Sequence, residues 1–208
     1  MQKIILTFSF FCFLLISLHA QDQRFMGGVI VGLNAAQIDG DNAAGYRKAG
    51  LLVGLRGGAH LSEKTSITID MLYSQRGSRR VPRIDEAFET YTISTPYIEV
   101  PLLFHYKDWR VEYEDGSFFY KVSAEAGLAV SYLLNPKVEN IVYETEVDNF
   151  NKIDVAWAAG VSYYFNEKVG ISARYLRSIT PLYNHNKHMK TLNSLFGYHF
   201  NFSVFYVL

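Results

Sequence analysis

The stretch YNHNKHMK, residues 183–190, sets His185 and His188 three apart, a spacing that can grip a metal ion or supply a general base. No carboxylate or cysteine stands beside them, so both read as solvated loop histidines, and neither a metal site nor a cofactor is expected. A second grouping, RGSRRVPR at 76–83, gathers Arg76, Arg79, Arg80 and Arg83, whose forked guanidiniums suit phosphate oxygens. On an outer surface these four would contact lipopolysaccharide. The plainer alternative is a solvated loop balanced by Asp85, Glu86 and Glu89. The acidic tract VEYEDG, 111–116, reads as a wet turn rather than a calcium site. No serine–histidine–acid set stands out, and no catalytic residue is assigned. What remains is a scatter of single charges in apolar surroundings: Arg56, Asp70, Glu99, Lys121, Glu125, Asp154 and Arg174. An ionised group buried without a partner is costly. Their meaning therefore rests on the elements that carry them.

Those elements alternate with a period of two. In FFYKVSAEAGLAVSYL the even positions from Phe118 to Tyr132 form one apolar face, while Lys121, Ser123, Glu125, Gly127, Ala129 and Ser131 form the other. TSITIDMLYS at 65–74 and the segment from Ile153 to Phe165 alternate in the same way. Alternation sustained over this length marks strands. Eight such segments are expected, at roughly 24–34, 46–61, 64–75, 93–106, 117–133, 152–165, 168–179 and 194–208. Most exceed the ~5–6 residues of ordinary strands and match the ~9–11 that a tilted strand needs to cross a bilayer. Short links at 62–64 and 166–168 alternate with long polar loops at 35–45, 76–92, 134–151 and 180–193. The link at 107–116 is longer and charged, with Asp115 and Gly116 placed to close a hairpin. Short turns on one side and long loops on the other are the organisation of an outer-membrane barrel.

Composition narrows the field further. Lys3 is the single charge ahead of an unbroken apolar run from Ile4 to Leu18, and Ala20 offers a small residue for cleavage. Residues 1–20 read as a secretory signal peptide and 21–208 as one barrel domain. Cys12 falls within that leader, so an exported chain from Gln21 would carry no disulfide. Without Lys3 there are 19 basic and 20 acidic residues, a balance that argues against nucleic acid as a partner.

Which face is wet decides the architecture. A soluble, lipocalin-like barrel would carry its charges outside and a hydrophobic ligand inside. Here the less apolar face is mostly Gly, Ala, Ser and Thr, as at Gly54, Gly127, Ala156 and Ala158, which suits a crowded interior better than a solvated exterior. The opposite face carries bulk, with Tyr73, Phe118, Tyr132, Tyr163, Phe165 and Tyr206 placed as aromatic girdles near strand ends. The expected fold is an all-β, eight-stranded antiparallel up-and-down transmembrane β-barrel with a packed polar lumen. In YIEVPLLFHY, 97–106, Ile98, Val100, Leu102, Phe104 and Tyr106 then meet lipid, while Glu99, Pro101 and His105 point inward. Glu99 needs a partner, with Arg56, Lys121 and Arg174 available, so the lumen would hold four acids against three bases. Pro101 lacks a ladder donor, and a bulge or strained pairing is expected there. His60 and His105 fall at the short-turn end and His199 faces inward; no histidine is expected at the depth of Ser123 and Glu125. HLSEKTSITIDMLYS (60–74) also matches YFNEKVGISARYLRS (164–178) at an offset of 104, placing Asp70 and Arg174 at equivalent positions four strands apart.

The tyrosine–aliphatic–glutamate–aliphatic–proline run Tyr97–Pro101, with the leader ending LHAQ, resembles the PorT-like outer-membrane β-barrel domains common in Bacteroidetes. That resemblance implies a small barrel in the cell outer membrane; a link to protein secretion belongs to one branch of the family. Such barrels usually end in an aromatic residue read by the assembly machinery, whereas this sequence ends in Leu208, with Tyr206 two places earlier. The expected partners are outer-membrane lipid and lipopolysaccharide, the assembly machinery, and a protein at the external loops. The expected role is non-enzymatic, as a structural, adhesion or assembly factor. Its rivals are a lipid-modifying barrel enzyme, a narrow pore and the soluble ligand-binding barrel.

Overall fold

A computed structural model describes residues 24–41, 43, 45–81, 90–139, 147–185 and 193–208. The expected leader, Arg83 and His188 lie outside the described residues. Eight long strands follow the alternating segments: β1 (Phe25–Asp39), β2 (Lys48–His60), β3 (Thr65–Arg80), β4 (Tyr91–Glu112), β5 (Phe118–Leu133), β7 (Ile153–Tyr164), β8 (Val169–Ser178) and β9 (Phe196–Val207). A two-residue strand, β6 (Lys137–Val138), continues the line of β5 along β4 beyond Leu133. Every pairing is antiparallel between ring neighbours, β1 pairs with β9, and β3 pairs with β4, so the sheet closes on itself.

The ladder fixes the stagger of the barrel. From Thr68 it runs through Leu103, Gly127, Ala158, Leu176, His199 and Ala36 to Lys48. Extending the Leu52↔Ser74 register to Lys48 meets β3 at Ser78, ten residues above the start. With ~3.3 Å per residue and ~4.8 Å between strands, a shear of ten over eight strands tilts them by about 40°. A barrel of this girth has room inside for side chains and little else.

Burial follows parity. On β5, Leu128 and Val130 are 56% and 53% exposed, whereas Ala129 between them is fully buried. The outward faces form an apolar belt, with Leu33, Leu55, Met71, Leu102, Val161 and Phe202 all exposed. Tyr106, Phe165 and Tyr206 edge it at the short-turn end, and Tyr132 and Tyr198 at the long-loop end. Below Tyr106, β4 continues into Lys107, Asp108, Trp109 and Arg110, and the β4–β5 hairpin projects past the belt. Tyr113 N–H donates to Ser117 O at 2.8 Å, and Gly116 takes a φ of 83°, which glycine adopts without a Cβ clash.

Two expectations change. Pro101 makes no bulge: Ile69↔Leu102 and Leu72↔Glu99 keep one register, so the ladder merely skips Asp70 and Met71 opposite Pro101 and Val100 respectively. The missing N–H is absorbed by a local gap because β4 stays paired to β5 through Pro101↔Ala129. Strands β1 and β4 run past their expected ends at 34 and 106, to Asp39 and Glu112, and β3 runs five residues past its expected end at 75, to Arg80. Gly77 permits this, with a φ of 138° and so close to the Ile93 carbonyl that a Cβ could not fit.

Candidate functional site

The inward residues form stacked layers. In the lower layer Arg56 forks onto Asp70, with Nε donating to Oδ1 at 2.8 Å and Nη2 to Oδ2 at 2.9 Å. Arg174 reaches across from β8, donating through Nε to Glu125 Oε1 at 2.7 Å, and its Nη1 lies 3.5 Å from Asp70 Oδ2. Glu125 also accepts from Ser172 and Ser162 at 2.9 and 3.2 Å. His105 lies beside it, Nδ1 3.3 Å from Glu125 Oε2, while its Nε2 shares a hydrogen bond with Thr68 Oγ1 at 2.8 Å. Two guanidiniums and two carboxylates thus neutralise one another, with the serine hydroxyls filling further lone pairs on Glu125. That satisfaction is what makes buried charge tolerable. Asp70 and Arg174, equivalent in the internal match, meet across the lumen.

The upper layer is organised by Arg76. It ion-pairs with Glu99, donates through Nη1 to Asp154 Oδ2 at 2.9 Å and through Nη2 to Ser131 Oγ at 2.9 Å, and lies 4.6 Å from the centre of the Tyr97 ring. Thr180 Oγ1 donates to Asp154 Oδ1 at 3.2 Å, and His199 Nε2 stands 3.7 Å from Glu99 Oε2. Between the layers sit Leu103, Ala129, Ala156, Ala158 and Leu176 on one side and Ile30, Leu52 and Leu72 on the other. Above them an apolar cap of Ile38, Tyr91, Ile93, Tyr97, Leu133, Phe150, Leu182, Tyr183 and Leu195 closes the long-loop end. A cavity beside Arg76, Asp154 and His199 measures about 20 Å³, the scale of a single water.

Several sequence expectations are corrected by this geometry. Arg76 is 5% exposed and belongs to the lumen, not to a surface loop, because β3 carries it inward at the same parity as Asp70 and Leu72. Arg76, rather than Arg56, Lys121 or Arg174, is the direct partner of Glu99. Lys121 leaves the cluster: on β5 it falls below Ser123, near the short-turn mouth, half-buried with Nζ 5.5 Å from the centre of the Trp109 ring. The three bases facing four acids are thus Arg56, Arg174 and Arg76. His105 does stand at the depth of Glu125, since the two are direct cross-strand partners.

At the long-loop end Arg79 is exposed and Arg80 half-buried at the top of β3. Arg47 donates to the Val81 carbonyl at 3.1 Å, and Arg177 lies 3.5 Å from Asp39 and over the Tyr198 ring. The rings of Tyr198, Tyr46, Phe200, Tyr175 and Trp157 meet in that series at 5.0–5.5 Å, spanning β9, β8 and β7 and the loop before β2 at one interface. Of the loop histidines, His185 is anchored by its N–H to Ser194 Oγ at 3.1 Å. Asp41, buried just past the end of β1, accepts from the Ala43 N–H at 2.9 Å, and burial pushes its carboxyl above the usual range. At the opposite end the Asp115 carboxylate accepts from both the Ser117 hydroxyl and N–H, which hold it below that range.

Comparison with known proteins agrees with this architecture. No curated protein sequence matches the chain. Among solved structures, the attachment invasion locus protein Ail of Yersinia pestis is 11% identical, with a TM-score of 0.45 over 88% of this chain and 98% of that one. Neisserial surface protein A is likewise 11% identical, with a TM-score of 0.46 over 88% of this chain and 96% of that one. OprG of Pseudomonas aeruginosa gives 11% and 0.40 over 88% and 94%. The family model for the outer membrane protein beta-barrel domain matches residues 19–184. The chain therefore belongs to the outer membrane protein beta-barrel domain family and resides in the outer membrane.

Proposed function

We propose that this barrel is a non-enzymatic outer-membrane protein acting through its long-loop face as a structural, adhesion or assembly- and secretion-associated factor. The Tyr97–Pro101 run supports placing it in the PorT-like branch of its family. The observation that carries the reading is the filled lumen. Among the described residues, two ion-paired layers separated by packed aliphatic residues lie under an apolar cap, which supports a lumen filled by its own side chains. Contact with the surroundings then falls to the ends of the barrel. At the long-loop end Arg79 is exposed at the top of β3, and on the other side of the ring Arg177 lies over Tyr198 of the aromatic row, so both sides present arginine at an interface suited to lipopolysaccharide phosphates.

The test is thermal unfolding of the barrel in lipid vesicles with and without lipopolysaccharide. Lipopolysaccharide should raise the midpoint for the wild type, and the Arg79→Gln, Arg83→Gln double variant should lose most of that rise. A wild type indifferent to lipopolysaccharide would overturn the lipid contact and leave a protein partner as the occupant of this face.

A further inference from the structure

Beneath the lower charged layer the short-turn end opens into a cavity of about 520 Å³, within the range of small-molecule sites. One wall is aromatic. Phe119 and Tyr120 are consecutive on β5 yet both buried, which breaks the strand's alternation. The neighbouring backbone is irregular: Trp109, across from Lys121, adopts a φ of 63°, and the ladder passes from Asp108↔Val122 to Arg110↔Tyr120 without a Trp109 pair. A positive φ at a tryptophan is strained, and such strain persists where the surroundings hold it for a purpose. Here it coincides with both rings being turned in beside the mouth. Tyr164 adds a third ring, held edge-on to Phe205 at 5.0 Å.

The other feature is an uncompensated cation. Lys107 is half-buried in the cavity wall, and its Nζ lies 3.3 Å from His60 Nδ1. Among the described residues no carboxylate lies within ion-pair distance of it; the adjacent Asp108 is paired with Lys64 at 3.7 Å. Glu63 and Glu167 line the same cavity together with Arg24 and Lys168; all four are exposed, so these rim charges are solvated and balance one another, leaving Lys107 as the drier charge. A partly dry ammonium and an imidazole on an aromatic wall lack one component, a single negative charge on an apolar body.

We propose that this cavity binds a small amphipathic monoanion, with Lys107 and His60 holding its carboxylate or phosphate head and Phe119, Tyr120 and Tyr164 covering its tail. The site faces away from the long loops and is independent of the function proposed for them.

The experiment places the barrel in zwitterionic lipid nanodiscs and follows the His60 imidazole resonances by nuclear magnetic resonance, with empty nanodiscs as the partition control. Octanoate, octyl phosphate, acetate and inorganic phosphate are titrated separately. Saturable shifts with octanoate or octyl phosphate, but not with acetate or inorganic phosphate, are expected, and the better of the two identifies the head group. Lys107→Gln should weaken that binding about tenfold, the loss of one charge-assisted hydrogen bond, while heat-modifiable migration on gels shows the barrel still closed. Equal responses to acetate and octanoate, saturation by inorganic phosphate alone, or no saturation by any probe would each overturn the proposal. So would a closed Lys107→Gln barrel that binds as the wild type does. The four-probe comparison on the wild type decides the matter even if that variant does not fold.

Discussion

Replacing Arg76 with methionine isolates the charge logic of the lumen. Methionine keeps most of the side-chain volume and removes the guanidinium that joins Glu99, Asp154 and Ser131. Asp154 would retain the Thr180 hydroxyl at 3.2 Å, whereas Glu99 would keep only His199 at 3.7 Å. Removing one partner of a buried pair typically costs ~3–5 kcal/mol, because the other charge is left in a medium of low polarity. Loss of the cation over the Tyr97 ring adds ~0.5–2 kcal/mol, and the two are not fully additive. The expected loss is therefore about 4 kcal/mol, a large share of the ~5–15 kcal/mol that stabilises a typical domain. Urea unfolding in lipid vesicles, followed by the emission of Trp109 and Trp157, measures it. Adding Glu99→Gln and Asp154→Asn removes the stranded charges, so the triple variant should recover much of the loss, as neutralised buried pairs do. A single variant within ~0.5 kcal/mol of wild type, or a triple variant no better than the single one, would refute the reasoning.

Other perturbations probe the remaining parts of the account. Leu128→Arg places a charge on the lipid face of β5 and should cost ~2–4 kcal/mol near mid-depth by urea unfolding, whereas Leu128→Ile should cost little. Gly77→Ala forces a side chain toward the Ile93 carbonyl at a φ of 138°, and a loss of ~1–3 kcal/mol is expected in the same assay. Burial raises the Asp41 carboxyl while the Ala43 N–H and nearby Arg80 oppose that shift, so its carboxyl carbon should titrate above 3.8 by nuclear magnetic resonance. A raised folded value means the folded state holds this proton more tightly. Its contribution is full below the unfolded value and fades as pH rises through the folded one, so Asp41→Asn should lose that slope.

Much of this architecture follows from parity. Because side chains alternate, the even residues of Asp70, Leu72 and Ser74 assign one face of β3, and the motif from Tyr97 to Tyr106 assigns β4 in the same way. Parity says nothing of depth. The ten-residue stagger decides which inward residues share a layer, and it is a property of the closed ring rather than of any one strand. That is why Lys121 has the inward phase of Glu125 yet lies below the plug, and why His105 falls directly opposite Glu125. Arg76 was hidden for another reason. Gly77, Ser78 and the neighbouring arginines have loop-like composition, so the alternation reads as ending at Gln75. The signal for Arg76 was its even number, continuing the inward row one step beyond Ser74. The apolar cap is harder still to read, since it gathers Phe150 and Leu182 from segments that look like polar loops. The offset of 104 did carry long-range information: it relates the Asp70 and Arg174 positions, and their side chains meet across the barrel.

The central claim is that the lumen is shut by its own ion-paired side chains, and single-channel recording on the reconstituted barrel tests it most directly. The account expects a flat baseline under applied voltage for the wild type at protein densities where inserted barrels are confirmed by their heat-modifiable migration. Reproducible unitary steps from the wild-type barrel would contradict it, because ions would then be passing where Arg56, Arg76 and Arg174 are held to close the path.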